Sequence, residues 1–438
     1  MKKYFLIIAL CAGVPAFAAN VNAPNPEAIS AVKTGERNDA NAAWWGFNSE
    51  DATEALQQAI DSGALKVTVP FMGAPWIVRP IKLRSDIDII FEPGVEVVAK
   101  KDEFKGTGDS LFRAANCSNI IMRGYNATLR MHKSDYAAAP YKKGEWRMVL
   151  AFTSCTNVLV EGLTLASSGG DGIYLGVSNK DQPYCKDVVI RDVTCDDNYR
   201  QGISVISAEN LLIENCRLTN TSGTGPAAGI DLEPNHESER LVNCVIRNCY
   251  IAGNEGAGLQ VYLRPLDSTS PPLSVLFDRC FVDGGDSPGI MVAAIRDGGP
   301  QGYIEFKDCV VRDIRKAGIS IYDKSADSAE VRFNNCHLIN TAEGSYVEGE
   351  PGANTQNVPI SLLARRSEIA TSIGGISFEN CHVYDTKTRP VVLAQGKEGA
   401  SVSGIVGNLV YHGPGEPMVE TSGLTDTSIT LSLEKAAE

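Results

Sequence analysis

The strongest constraint on the fold is a Gly-apolar pair that recurs along the middle of the chain. It occurs at Gly172-Ile173, Gly202-Ile203, Gly229-Ile230, Gly258-Leu259, Gly289-Ile290 and Gly318-Ile319, with successive glycines 30, 27, 29, 31 and 29 residues apart. A second motif alternates with it. Apolar residues fill every other position, and an Asn, Asp or Arg then precedes a cysteine, as in Leu212-Ile213-Glu214-Asn215-Cys216 and before Cys249, Cys280, Cys309, Cys336 and Cys381. Each repeat holds about three short runs of period-two alternation and almost no helical pattern. Such a unit cannot bury its own apolar face, but stacked copies form a continuous core. The leucine/asparagine consensus of leucine-rich repeats is absent, and propeller blades are longer. The pattern predicts an all-β, single-domain right-handed parallel β-helix.

Residues 51–62 carry apolar positions at helical spacing and end before Gly63. This predicts a short α-helix that caps the open N-terminal end of the stack. The expected organisation is a cap with first strands over 19–112, β-helix coils over 113–412, and a C-terminal cap or tail over 413–438. Residues 1–18 read as a signal peptide. Lys2 and Lys3 form the basic region, residues 4–14 the apolar region, and Ala16-Phe17-Ala18 the small-x-small cleavage site. The apolar run is too short to cross a bilayer, and no later stretch is long enough. A secreted or periplasmic protein without a membrane span is expected. The net charge of −13 argues against non-specific nucleic-acid binding. Eleven cysteines lie beyond residue 18 with no CxxC among them. Their recurrence in one local context predicts a column of buried structural thiols, with some disulfides as the alternative.

The order of a helix, Val67-Thr68-Val69-Pro70, Pro80-Ile81-Lys82-Leu83 and residues 91–99 (FEPGVEVVA) resembles the entrance of pectin-lyase-fold proteins. Polygalacturonase-type glycosidases and several polysaccharide lyases begin this way. The resemblance implies a carbohydrate-active β-helix. Asp171-Gly172-Ile173 is similar to the Asn-Thr-Asp-Gly-Ile strand of polygalacturonases, with Gly169-Gly170 in place of Asn-Thr. The paired aspartates of that family would fall at Gln201-Gly202-Ile203, where there are none. Asp196-Asp197 lie in the preceding turn instead. The His-Gly and Arg-x-Lys motifs are also missing, so that family's catalytic set is not carried over.

Period-two alternation places Ile173 and its equivalents inward and the residues between them outward. Tyr174, Ser204, Asp231, Gln260, Met291 and Ser320 then form one outer column, on which a glycan chain could lie. Asp231 and Glu233 are two residues apart on this face, suited to paired acid and base roles, with Asp171 two coils away. Their bland reading is a solvated acidic strand face. Arg147, Arg200 and Arg264 are suited either to hold anionic or hydroxylated sugar or, equally, to fix the turns through internal Arg–Asp pairs. Gln201, Tyr174, Gln260, Tyr262 and Trp146 would line subsites, and His236 in the loop after the strand is a candidate proton shuttle. The excursion over 131–145 breaks the repeat, which marks a binding-face loop, and Tyr136, Tyr141 and Trp146 there are suited to ring stacking. No cofactor is required. Asp196-Asp197-Asn198 offers the one calcium alternative. The leading expectation is a glycoside hydrolase acting on a polysaccharide or oligosaccharide. A polysaccharide lyase and a non-catalytic glycan-binding helix are the competing readings.

Overall fold

The computed structural model describes residues 21–397 and 399–437. The signal-peptide expectation lies outside them. Nearly all the described secondary structure is strand, arranged in two long parallel sheets of 12 and 22 strands. A typical coil gives one strand to the smaller sheet and two to the larger, as Asp171–Gly176, Cys185–Arg191 and Thr194–Asp196 do.

The Gly-Ile strands are equivalent, as the period predicts. Ile173, Ile203, Ile230, Leu259, Ile290 and Ile319 are consecutive partners in the smaller sheet, and all are buried. Their glycines are required by space. A Cβ on Gly202 would stand 2.4 Å from the Gly229 carbonyl oxygen, and one on Gly229 would stand 2.4 Å from Ile251. The residue before each repeated cysteine is left-handed, from Asn215 (φ 55) to Asn380 (φ 49). Asn and Asp tolerate that conformation with little strain, and the turn it makes drops the following thiol into the core. Arg279 is the exception in this column.

All eleven cysteines of the described residues are free. Cys216, Cys249, Cys280, Cys309, Cys336 and Cys381 run as one hydrogen-bonded column of thiols. Elsewhere burial pushes the Cys185 and Cys244 thiols up to about 12, far from the reactive thiolate. Beside the column, Phe277, Phe306, Phe333 and Phe378 stack face to face at 4.7, 5.0 and 5.1 Å. The regularity of the core therefore comes from like residues stacking on like.

The N-terminal helix forms at Thr53–Asp61 and packs on the first strands as the expected cap. A second helix, Pro26–Lys33, was not expected. Asn25 caps it by accepting from the Ala28 amide, and Pro26 occupies its first turn. The boundaries also move. Parallel pairing already starts at Asp39–Asn41 with Lys66–Val69. The expected cap over 413–438 is instead a further coil, because Val419–Ser422 and Asp426–Lys435 extend both sheets.

Candidate functional site

The outer column forms as a ladder. Tyr174, Ser204, Asp231, Gln260, Met291 and Ser320 are successive partners. It is not the solvated face that alternation alone suggests. Asp171 and Asp231 are each 0 % exposed, and Gln201, Ser204 and Gln260 are buried beside them.

Arg200 organises this centre. Its guanidinium lies 3.7 Å from Asp171, 3.3 Å from Glu233 and 3.9 Å from Glu145. Burial works against its charge, but Asp171, Glu233, Asp231 and Glu145 outweigh that, and its pKa stands above the ordinary arginine value. Gln201 donates from Nε2 to Asp231 at 2.8 Å and accepts from the Ala228 amide at 2.9 Å, which fixes its amide orientation. Both oxygens of Asp171 and one of Asp231 have no hydrogen-bond partner. Folded proteins leave few buried polar atoms unpaired, and those that remain ask for an explanation.

Burial is the main force on both aspartates. It pushes the Asp171 carboxyl up to about 7 against the pull of Arg200, with Glu145 and Glu233 adding to the rise. It also raises Asp231 well above the usual carboxylate range, helped by Glu233 next to it. Two buried acids whose proton affinity is raised, beside a partly exposed Glu233, are a working set for proton transfer.

An open cleft adjoins the acids. It encloses about 230 Å³ and is lined by Arg113, Trp146, Met148 and Tyr174 among others. Trp146 is 50 % exposed. The Tyr174 ring lies back over Gly176, where a Cβ would meet it at 2.2 Å. Burial and the Asp171 charge push the Tyr174 hydroxyl up to about 12. A flat indole and a phenol ring bordering an acid cluster suit a pyranose ring.

Several expected site residues sit elsewhere. Arg147 is not on the groove. It is 0 % exposed, and its guanidinium donates to the carbonyls of Phe104 (2.8 Å), Lys142 (2.6 Å) and Lys105 (3.4 Å). Tyr136 and Tyr141 pack over that guanidinium at 5.1 and 5.8 Å, so of the three aromatics only Trp146 faces out. Arg147 was expected by register in the column of Arg200, one or two coils earlier. The chain crosses back there beside Gly169, and the side chain turns inward to satisfy the carbonyls of the excursion. His236 is exposed and bonds within its own loop, to Ser238 at 3.0 Å and Glu237 at 3.1 Å, rather than to the acids. Arg264 is exposed, and its carbonyl accepts from Arg296. Tyr262 follows Glu233 by one coil and accepts from Arg366 at 3.5 Å. Asp197 takes Lys133 and Ser167, while Asp196 takes Thr219 and Asn220. Among the described residues no three His, Cys, Asp or Glu side chains are grouped as a metal would need.

Two acids, one at the centre and one in the loop after the Asp231 strand, were missed. Glu145 closes the excursion and reaches Arg200 and Thr224. Glu239 is buried, and its pKa is raised by that burial although the Asn235 and His236 amides donate to it. The break in the repeat pointed at the first, while nothing local marked the second.

Comparison with known proteins matches this architecture. The model of a right-handed beta helix region matches residues 147–270 and 243–358. The chain is 25% identical over 182 residues to the uncharacterized protein YclG of Bacillus subtilis (strain 168). That match covers 39% of this chain and 31% of YclG, so it spans under a third of that relative. Among solved structures, the Azotobacter vinelandii mannuronan C-5 epimerase AlgE4 A-module aligns with a TM-score of 0.58 at 14% identity, over 91% of this chain and 100% of the module. The Yersinia enterocolitica family 28 exopolygalacturonase aligns with a TM-score of 0.53 at 11% identity, over 88% of this chain and 76% of that one. Repeat motif, stacked ladders and these likenesses agree that the chain folds as a right-handed parallel β-helix.

Proposed function

We propose that this protein is an exported carbohydrate-active enzyme that hydrolyses a glycan in the groove over the Gly-Ile strands. The observation that carries the reading is the pair of fully buried aspartates with unpaired oxygens, of which Asp171 is bridged through Arg200 to Glu233, near an aromatic cleft bordered by Trp146 and Tyr174. Asp171 is assigned the general acid, because it holds a proton near neutral pH. Glu233, the more accessible carboxylate, is assigned the base or nucleophile. Asp231 and Gln201 position Glu233 and the water or sugar hydroxyl beside it. Trp146 and Tyr174 hold a ring at the mouth. Arg200 screens the acids in the empty groove. Its contact with Asp171 is long at 3.7 Å, and a bound sugar draws it away to expose the acid.

Hydrolysis is preferred to elimination on electrostatic grounds. A lyase must neutralise the carboxylate of the uronic unit that it deprotonates. The one cation among these acids, Arg200, is already shared by Glu145, Asp171 and Glu233. An anionic sugar in that position would meet mostly like charge. The test is a panel of neutral, uronic and sulfated glycans, read for new reducing ends and for ultraviolet absorbance. Reducing ends without an absorbing product are expected. An unsaturated, absorbing product would make the enzyme a lyase, and binding with neither product would make it a glycan-binding helix.

A further inference from the structure

Beyond the acid cluster the same face changes sign. The column of Glu233 continues one coil later at Tyr262, then through Ala293 to Tyr322. Tyr322 is therefore three coils from Glu233, roughly 14 Å at the usual strand spacing. Two arginines from the loop after Ile360–Ala364 lie over it, with Arg365 at 5.2 Å and Arg366 at 5.8 Å from the ring centre. Arg366 also reaches back across two coils to the Tyr262 hydroxyl.

This arrangement is built into the fold. Asp323 is 0 % exposed and accepts from the amides of Arg365 (2.7 Å) and Arg366 (2.9 Å) and from Arg366 Nε (2.7 Å). The loop is held so that its two guanidinium groups project over the groove. Ile369 packs on the nearby Ala293 and Ala294, with Tyr262 and Tyr322 against them. One carboxylate serves both arginines. Among the described residues Arg365 has no ion-pair partner, and nor do Arg264 and Arg296 near the same strand ends. Three unpaired arginines in one stretch are conspicuous on a chain of net charge −13. Two buried atoms at the neighbouring Ser320 position also lack partners, Ser361 Oγ and Gln356 Oε1.

We propose that Tyr322, Arg365 and Arg366 form an anion-selective subsite of the groove, taking a sugar ring that bears a carboxylate or a sulfate about three coils from the acid cluster. The proposal rests on the glycan groove argued above and adds to it. The substrate presents an uncharged unit to Asp171 and Glu233 and a charged one further along, so it is a mixed rather than a uniformly charged chain. The aromatic face receives the ring, and the guanidinium fork receives the oxyanion.

Equilibrium binding tests this with three galactan hexasaccharide probes: one bearing a single uronate unit near one end, one bearing a single sulfate there and one that is neutral throughout. The protein used is the Asp171→Asn variant, which removes turnover and leaves the subsite intact. One acidic probe should bind at least about tenfold tighter than the neutral one, as charge-assisted hydrogen bonds require, and added salt should erode the difference. The two acidic arms decide between uronate and sulfate. Arg365→Gln changes an exposed side chain, so its fold is safe, and it should abolish the preference. Equal binding of all three probes, or a preference that survives Arg365→Gln, would overturn the subsite. A charge preference without cleavage of any glycan would remove the hydrolase reading and keep the subsite, and cleavage without a charge preference would do the reverse.

Discussion

Asp171→Asn and Glu233→Gln should each lower turnover on a cleaved glycan by roughly two to four orders of magnitude, the range of one positioned acid or base. Both changes keep shape and remove ionisation. The loss should lie in kcat more than in KM, because neither side chain is among the stacking groups that hold the ring. Asp171→Asn carries a second, opposite effect. A carboxyl raised from 3.8 to about 7 by folding binds its proton more tightly in the native state than in the unfolded chain. The stability this contributes is complete below about pH 4 and is lost as pH rises through 7. In wild type that loss amounts to about 4 kcal/mol at most. The asparagine variant should therefore resist denaturant as well as wild type at pH 4 and better at pH 8. A variant that is inactive but no more stable at pH 8 would mean that folding does not raise the Asp171 carboxyl. Near-normal turnover in both variants would remove the acid–base assignment altogether. Asp231→Asn is a less clean probe. Asp231 was expected on a solvated face, where substitution moves stability by under about 0.5 kcal/mol. Its burial and its bond from Gln201 make a measurable stability change expected as well.

Arg147→Ala should destabilise the protein by about 3 kcal/mol, since it strips bonds from the carbonyls of Phe104, Lys105 and Lys142 and leaves a void under two tyrosine rings. The denaturation midpoint should fall and protease cleavage within residues 131–146 should rise. Glycan affinity should weaken only indirectly, through the looser seating of Trp146 and Glu145. A wild-type midpoint combined with a large loss of affinity would return Arg147 to the groove.

The fold was legible because the sequence repeats the same solution. Each Gly-Ile pair answers the same steric demand, the close carbonyl of the next coil at Gly202 and the Ile251 side chain at Gly229. Each Asn-Cys pair answers another, a left-handed residue that admits a small buried thiol. Period-two alternation then fixed which side chains share a column, and it brought Asp231, Gln260 and Tyr174 to one ladder. Alternation does not report depth. It marks Asp231 as outward, but Arg200, Gln201 and the end of the excursion close over that strand and bury it. Where the repeat breaks, register arguments lose their footing. Arg147 follows Trp146, yet it turns inward while the tryptophan stays out. Glu145, Glu239 and the Arg365–Arg366 loop are brought to the groove by excursions whose paths no period encodes. The N-terminal helix at Pro26–Lys33 was missed for a different reason. It is a short helix whose only local signals are its Asn25 cap and Pro26.

The account turns on Asp171 holding its proton at neutral pH inside an intact site. Carbon-13 NMR of protein labelled at the aspartate carboxyls measures this without any substrate. The spectrum of wild type should contain a carboxyl that titrates with a midpoint near 7 and is missing from Asp171→Asn. If the resonance lost in that variant instead titrates near 4, like an ordinary exposed aspartate, the buried-acid site proposed here is contradicted.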